Sequence, residues 1–178
     1  MKTLGSFIFA VLLLLTASAS YANPNFAQEV KVDDKKLSLL GVGTRLATMF
    51  KVKVYDAALY VEDKAKVDPA DASVKVVRME FLRDVSGSDI KKVWEDAFPK
   101  SCAEPCTIDF KEFLENVQDA KKGDFHQYTI WPERVKVEQG TKSNEYKQKG
   151  LGLTLLKTWI GDHPPNPELK QGMLGRSK

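Results

Sequence analysis

The stretch Leu37–Glu62, LSLLGVGTRLATMFKVKVYDAALYVE, constrains the fold more than any other part of the chain. From Met49 onward, Phe50, Val52 and Val54 alternate with Lys51, Lys53 and Tyr55, the two-residue period of a half-buried strand. Beyond Asp56 the run Ala57–Val61 loses its polar face, which predicts cover on both sides of that half. Upstream, Gly41 and Gly43 bracket Val42. Glycine inside a strand pattern predicts a bulge or the close approach of another group. Arg45 follows at once in otherwise apolar surroundings, and a functional site in this region is expected to contain it.

The flanking segments supply the partners of this stretch. Phe26–Val32 alternates briefly and reads as an edge strand. Asp63–Ser73 is polar and contains Asp68-Pro69, a loop signature. Val74–Leu82 reads as a further strand. The period then changes: Ile90, Val93, Trp94, Ala97 and Phe98 fall on one helical stripe, begun by Ser86 or Ser88 and ended near Pro99. Thr107 is expected to cap a second helix, with Phe110, Phe113, Leu114 and Val117 inward and Gly123 closing it. Strands return over Phe125–Trp131, Arg134–Glu138 and Asn144–Gln148, with Pro132 and Gly140-Thr141 at the turns. Leu151–Ile160 is apolar on nearly every side, as in a helix buried between other elements, and Pro167 starts a last short helix carrying Leu169, Met173 and Leu174. Strands, helices, strands, helices: the class is α+β, a large antiparallel sheet with helices packed on one face.

The first residues follow the layout of a secretory leader. Lys2 is followed by a nine-residue apolar run, Phe7–Leu15, and then by Ala17–Ala22, which is rich in small residues. A signal peptide over 1–22 is expected, cut after Ala22 (after Ala19 as the alternative), leaving one domain over 23–178. Lys2 is the leader's only charge, so the rest carries one positive charge fewer than the +3 of the whole. Its lysines and arginines are scattered among nearly as many acids, which gives no argument for nucleic acid, and none is expected as a partner. No later apolar run approaches about 18 residues, so no stable membrane insertion is expected once the leader is gone. Cys102 and Cys106 are the only cysteines. In an exported chain two so close together most simply form one local disulfide, whereas redox pairs usually read C-x-x-C and no histidine lies nearby to complete a metal site.

Several chemistries lack their residues. Position 46 is Leu and no helix pattern follows, so Gly41-Val42-Gly43 is not a dinucleotide fingerprint. His126 and His163 are far apart without ligand-like companions, and no metal or other cofactor is expected. Neither G-x-S-x-G nor H-E-x-x-H occurs, and the three tryptophans fit core positions. That leaves Arg45 with Tyr55. In one reading the arginine pairs with a carboxylate at the sheet edge and the tyrosine sits on the solvated face beside Lys51 and Lys53. In the other, guanidinium and phenol converge on an anionic ligand head, the first matching a carboxylate with two parallel hydrogen bonds and the second adding one donor. The second reading requires the chain to reverse between them, since ten residues of straight strand span about 33 Å. Arg45-Leu46-Ala47-Thr48 offers no strong turn residue.

Gly41–Arg45 (GVGTR), Phe50–Glu62 (FKVKVYDAALYVE), the strand end Phe81–Asp84 (FLRD) and Thr158–Gly175 (TWIGDHPPNPELKQGMLG) together resemble chalcone isomerase-like proteins, most closely an exported bacterial branch. The resemblance covers Val30 to Gly175. It implies an open-faced β-sandwich of chalcone isomerase type, with a ligand cleft between the sheet and the helices. It also matches Arg45 to the arginine that polarises the ketone in plant isomerases and grips the carboxylate in plastid fatty-acid binders. Tyr55 falls where the isomerases have threonine and the binders tyrosine. The isomerases' further tyrosine and asparagine correspond to Asp89 or Ile90, and to Asp96 or Ala97. Their hydroxyl on the later helix falls at Gly152, with Thr154 close by. On this basis the expected function is that of a monomeric, non-catalytic periplasmic protein holding a small apolar carboxylate or phenolic ligand through Arg45 and Tyr55. Two alternatives stand beside it: an isomerase-type intramolecular lyase with Arg45 as electrophilic stabiliser, and a structural or partner-binding envelope protein.

Overall fold

In the computed structural model the described residues are 25–64, 68, 71 and 73–176; the leader expected over 1–22 lies outside them. Seven strands form one antiparallel sheet whose order in space is their order in sequence: β1 (Glu29–Val32), β2 (Lys35–Ala47), β3 (Val52–Val61), β4 (Lys75–Phe81), β5 (Phe125–Ile130), β6 (Val135–Gln139) and β7 (Lys142–Tyr146). Between β4 and β5 come α1 (Gly87–Ser101) and α2 (Lys111–Glu115), and after β7 come α3 (Leu151–Ile160) and α4 (Pro167–Met173). This is the expected α+β arrangement. None of these helices is long and apolar enough to cross a membrane.

The main core lies between one sheet face and the helices. Inward-pointing Leu59, Val77, Tyr128 and Val137 meet Trp94 and Phe98 of α1, Leu155 and Trp159 of α3 and Leu169 of α4, all nearly inaccessible to water. The opposite face carries a smaller core of Leu37, Leu39, Ala58, Tyr60 and Val76 closed by Phe26. Phe26 reaches it because the segment before β1 crosses that face: its ring meets Phe125 edge-on at 6.1 Å, and Asn25 donates to the Glu80 carboxylate. The middle of β3 is therefore covered on both sides, as its unbroken apolar run requires.

Both glycine expectations on β2 are met. The β2–β3 register slips between Leu39 and Gly41, a bulge, and α4 lies directly on the strand beyond it. A Cβ on Gly43 would collide with the Leu169 carbonyl, one on Gly41 with the Gly172 carbonyl, and one on Gly172 with the Gly43 backbone. Side chains are excluded from both surfaces, so helix and strand backbones touch.

The structure moves several element boundaries: β1 begins at Glu29 rather than Phe26, β7 runs over Lys142–Tyr146 rather than Asn144–Gln148, and β3, α2 and α1 differ as follows. β3 begins at Val52, not Met49: residues 48–51 form the reversal, with Lys51 N–H donating to the Thr48 carbonyl at 3.2 Å and positive φ at Thr48 (62°) and Lys51 (50°). Met49 and Phe50 thus leave the strand pattern and stand 87% and 82% exposed. α2 runs only over Lys111–Glu115, without a side-chain cap; neither Thr107 nor Gly123 bounds it. Phe110 and Phe113 do face inward, Phe110 stacking on Phe98 at 4.1 Å, but after Asn116 the chain leaves the helix so that Ala120 can bridge to Val85. α1, capped by Ser86 Oγ accepting from Asp89 N–H, runs through Pro99 to Ser101. Cys102 follows and is bonded to Cys106, closing the connection towards α2.

Replacing Gly43 by alanine is expected to cost about 1–3 kcal/mol, because the methyl group meets backbone that cannot rotate away. A urea midpoint for Gly43→Ala equal to that of the parent protein would show that α4 is not seated on β2 as described.

Candidate functional site

The sheet, α1 and the segment joining α3 to α4 enclose a cavity of about 940 Å³ that opens to solvent. Its size suits a small organic ligand. Tyr55, Met79, Phe81 and Tyr128 form the sheet wall, Ile90, Val93, Trp94 and Ala97 the α1 wall, and Trp159 with His163, Pro164 and Pro165 the third. The aromatic rings behind this lining are mutually braced. Trp159 lies 5.3 Å from Trp94 and 5.2 Å from Tyr128, both edge-on, which suits the charge distribution of aromatic faces and edges.

Arg45 and Tyr55, ten residues apart in sequence, are direct cross-strand partners in the β2–β3 hairpin, and both line the cavity. The reversal over 48–51 satisfies the geometric condition that the sequence imposed. A second slip in register just beyond this pair leaves Val54 as an extra residue on β3, so Val54 and Tyr55 line the cavity together. The Arg45 guanidinium donates through Nη1 to the Leu46 carbonyl, and among the described residues it forms no ion pair. The reading in which Arg45 pairs with a carboxylate at the sheet edge is thus not what the structure has. Tyr55 is half-buried. Burial pushes its phenol up to about 12, against the lowering effect of the Arg45 charge and a hydrogen bond from Trp159. At neutral pH Tyr55 is therefore a neutral hydroxyl able to donate. The Tyr128 phenol is held above its usual range by burial and by its tyrosine neighbours.

Asn166, at the start of α4, fixes this arrangement. Its Oδ1 accepts from Leu46 N–H at 3.0 Å and its Nδ2 donates to the Thr44 carbonyl at 3.1 Å, gripping β2 on either side of Arg45. β1 reaches only as far as Ser38, so this part of β2 is a free edge that the amide satisfies in place of a strand.

Residues 18–175 match the chalcone isomerase-like family. The chain belongs to that family. The crystal structure of a fatty-acid binding protein from Arabidopsis thaliana superposes on this chalcone isomerase-like domain with a TM-score of 0.65, covering 84% of this chain and 91% of that one at 14% identity. At that identity the likeness is one of fold. No curated sequence matches the chain.

Among the positions that the resemblance singled out, Asp89, Ile90, Asp96 and Ala97 all line the cavity, but Gly152 and Thr154 do not. The α3 hydroxyl that does reach it is Thr158, whose Oγ1 donates back to the Leu155 carbonyl at 2.6 Å. Cys102 lies by a separate pocket of about 170 Å³ with Thr154, away from Arg45. Asn166 escaped the sequence reading as a site residue, and His163, weighed there only as a metal ligand and set aside, lines the cavity. Asn166-Pro167 has the form of a helix start, but the amide makes no cap and turns to β2 instead, which local sequence does not reveal.

His126 stands behind the cavity wall, its ring 4.7 Å from Phe81 and its Nδ1 buried without a hydrogen-bond partner among the described residues. Burial lowers its pKa from 6.5 to about 4, with Asp124 opposing the shift. The unfolded chain therefore takes up this proton as pH falls below 6.5 while the folded one does not. Stability is expected to decline by about 2–3 kcal/mol between pH 7 and pH 4 on this account. The difference in urea stability between the parent protein and His126→Phe should change by that amount across the range; a constant difference would show that His126 is not buried in its neutral form.

Proposed function

We propose that this protein is a non-catalytic binding protein that holds a small apolar ligand by its carboxylate, as a fatty acid would be held. The observation that carries the reading is a guanidinium that forms no ion pair among the described residues, lining a largely apolar cavity and set across the strand pair from a neutral phenol. A cation in such surroundings is costly unless an anion meets it, and a carboxylate accepts two parallel hydrogen bonds from a guanidinium and one more from a phenol. The cavity walls then take the hydrocarbon through Val93, Trp94, Phe81 and Pro164. A structural neighbour described as a fatty-acid binding protein supports the same reading. The leader-like sequence over 1–22 and the Cys102–Cys106 bridge support a site of action outside the reducing cytoplasm, in the periplasm of a bacterium. The neutral state of Tyr55 suits a hydrogen-bond donor better than a base, which favours binding over isomerisation.

Mass spectrometry of solvent extracts from purified protein is expected to find a long-chain acid. In titrations followed by the emission of Trp94 and Trp159, Arg45→Ala should weaken binding of such an acid by about 2–4 kcal/mol, the cost of leaving one partner of a buried charge pair alone. Tyr55→Phe should weaken it by about 1 kcal/mol. Equal affinity for the acid and its methyl ester would overturn the proposal, as would turnover of a chalcone that disappears in Arg45→Ala.

A further inference from the structure

The β2–β3 hairpin extends past the body of the sheet. β4 pairs with β3 only from Tyr55 onward, while β2 and β3 stay paired through Ala47 and Val52. Leu82 N–H still donates to the Val54 carbonyl at 2.9 Å, and beyond it Lys53 and Val52 carry the tip about 7 Å further. At its end Met49 and Phe50 are adjacent and almost fully exposed, at 87% and 82%. Single exposed apolar side chains are ordinary, but two large ones side by side at a protruding tip mark a contact surface. The reversal holds them there with positive φ at Thr48 and Lys51, a backbone state that a threonine adopts only under constraint.

The position and charge of the tip select the partner. Val93, the other large apolar side chain that is more than half exposed among the described residues, lines the cavity, as do Arg45 and Ala47 directly before the turn. The tip is therefore joined through Ala47 on β2 and Val54 on β3 to the cavity that Val93 also lines. From Arg45 to Tyr55 the hairpin carries Arg45, Lys51 and Lys53 and no carboxylate. Lys51 makes one exposed contact, with Glu168 at 3.4 Å, of a kind that contributes little and that a denser array of anions would displace. Two apolar side chains flanked by lysines fit the boundary between headgroups and acyl chains of an anionic bilayer.

We propose that the Thr48–Lys53 tip docks reversibly on an anionic phospholipid bilayer, Met49 and Phe50 entering the interface and Lys51 and Lys53 contacting the headgroups, so that the cavity mouth is set against the source of its ligand. The transfer role rests on the carboxylate reading; docking itself does not.

The test is flotation of the purified protein with vesicles of phosphatidylglycerol and phosphatidylethanolamine, against vesicles of phosphatidylcholine alone. The parent protein should float with the anionic vesicles and be released by salt. Met49→Ser/Phe50→Ser should weaken partitioning by about tenfold or more. Lys51→Gln and Lys53→Gln should weaken it by about fivefold each. All these side chains are exposed, so urea stability should stay unchanged and loss of binding cannot be put down to unfolding. Indifference to the Met49/Phe50 change, no vesicle binding at all, or self-association abolished by that double change without vesicle binding would each overturn the proposal. A tip variant that no longer floats but binds a soluble acid with parent affinity supports docking and leaves the carboxylate reading intact. Floating protein that binds no acid removes that reading and leaves docking standing.

Discussion

Backbone contact between α4 and β2 is the constraint on which the rest of the structure depends. Helices usually meet sheets through side chains; here Gly41, Gly43 and Gly172 remove them, and the two backbones touch. The contact sets the height of α4 above the sheet. It thereby places the segment from Asp162 to Pro167 as the far wall of the cavity and delivers Asn166 to the free edge of β2. Arg45 continues the inward-facing alternation of Gly41 and Gly43, one step past the N-terminal end of α4. The side chain that follows two absent ones is the one that fills the space left beside them.

Around Arg45 the electrostatics are one-sided. The sheet wall offers phenols whose protons burial retains, so it supplies neutral donors rather than counter-charges. The cavity does contain carboxylates, Asp89, Asp96 and Asp162, yet none of them forms an ion pair with the guanidinium. The cavity thus has charged and polar groups beside the hairpin and along α1, and rings in its interior, which on the proposed reading would orient an amphipathic guest.

Much of this was legible in the residues. Period-two runs gave the strands, the all-round apolar segment gave α3 at its observed bounds, and the glycine pair announced the close approach. What escaped was non-local. Thr48 turns the chain although threonine is a poor turn residue, because the pairing of Arg45 with Tyr55 on either side demands a reversal there. The shortening of α2 follows from the bridge between Ala120 and Val85, thirty-five positions apart and invisible to a helical stripe. Asn166 has the sequence of a cap and works as a clamp on a strand 120 positions earlier. The second core is hidden for the same reason: nothing in the alternation of Phe26 says that its segment crosses to Phe125.

The order of the strands has a consequence for assembly. Each strand pairs with its neighbour in sequence, so most of the sheet can grow by closures between adjacent segments, the long exception being β4 to β5, which α1 and α2 separate. Seating the final helix on the second strand instead closes a loop of nearly the whole domain, the most demanding ordering step in entropy. A nascent chain halted before Asn166 could possess its sheet and its sulfur bridge, yet would lack one side of the hollow. The far wall of the cavity is thus put in place only once α4 is seated on β2.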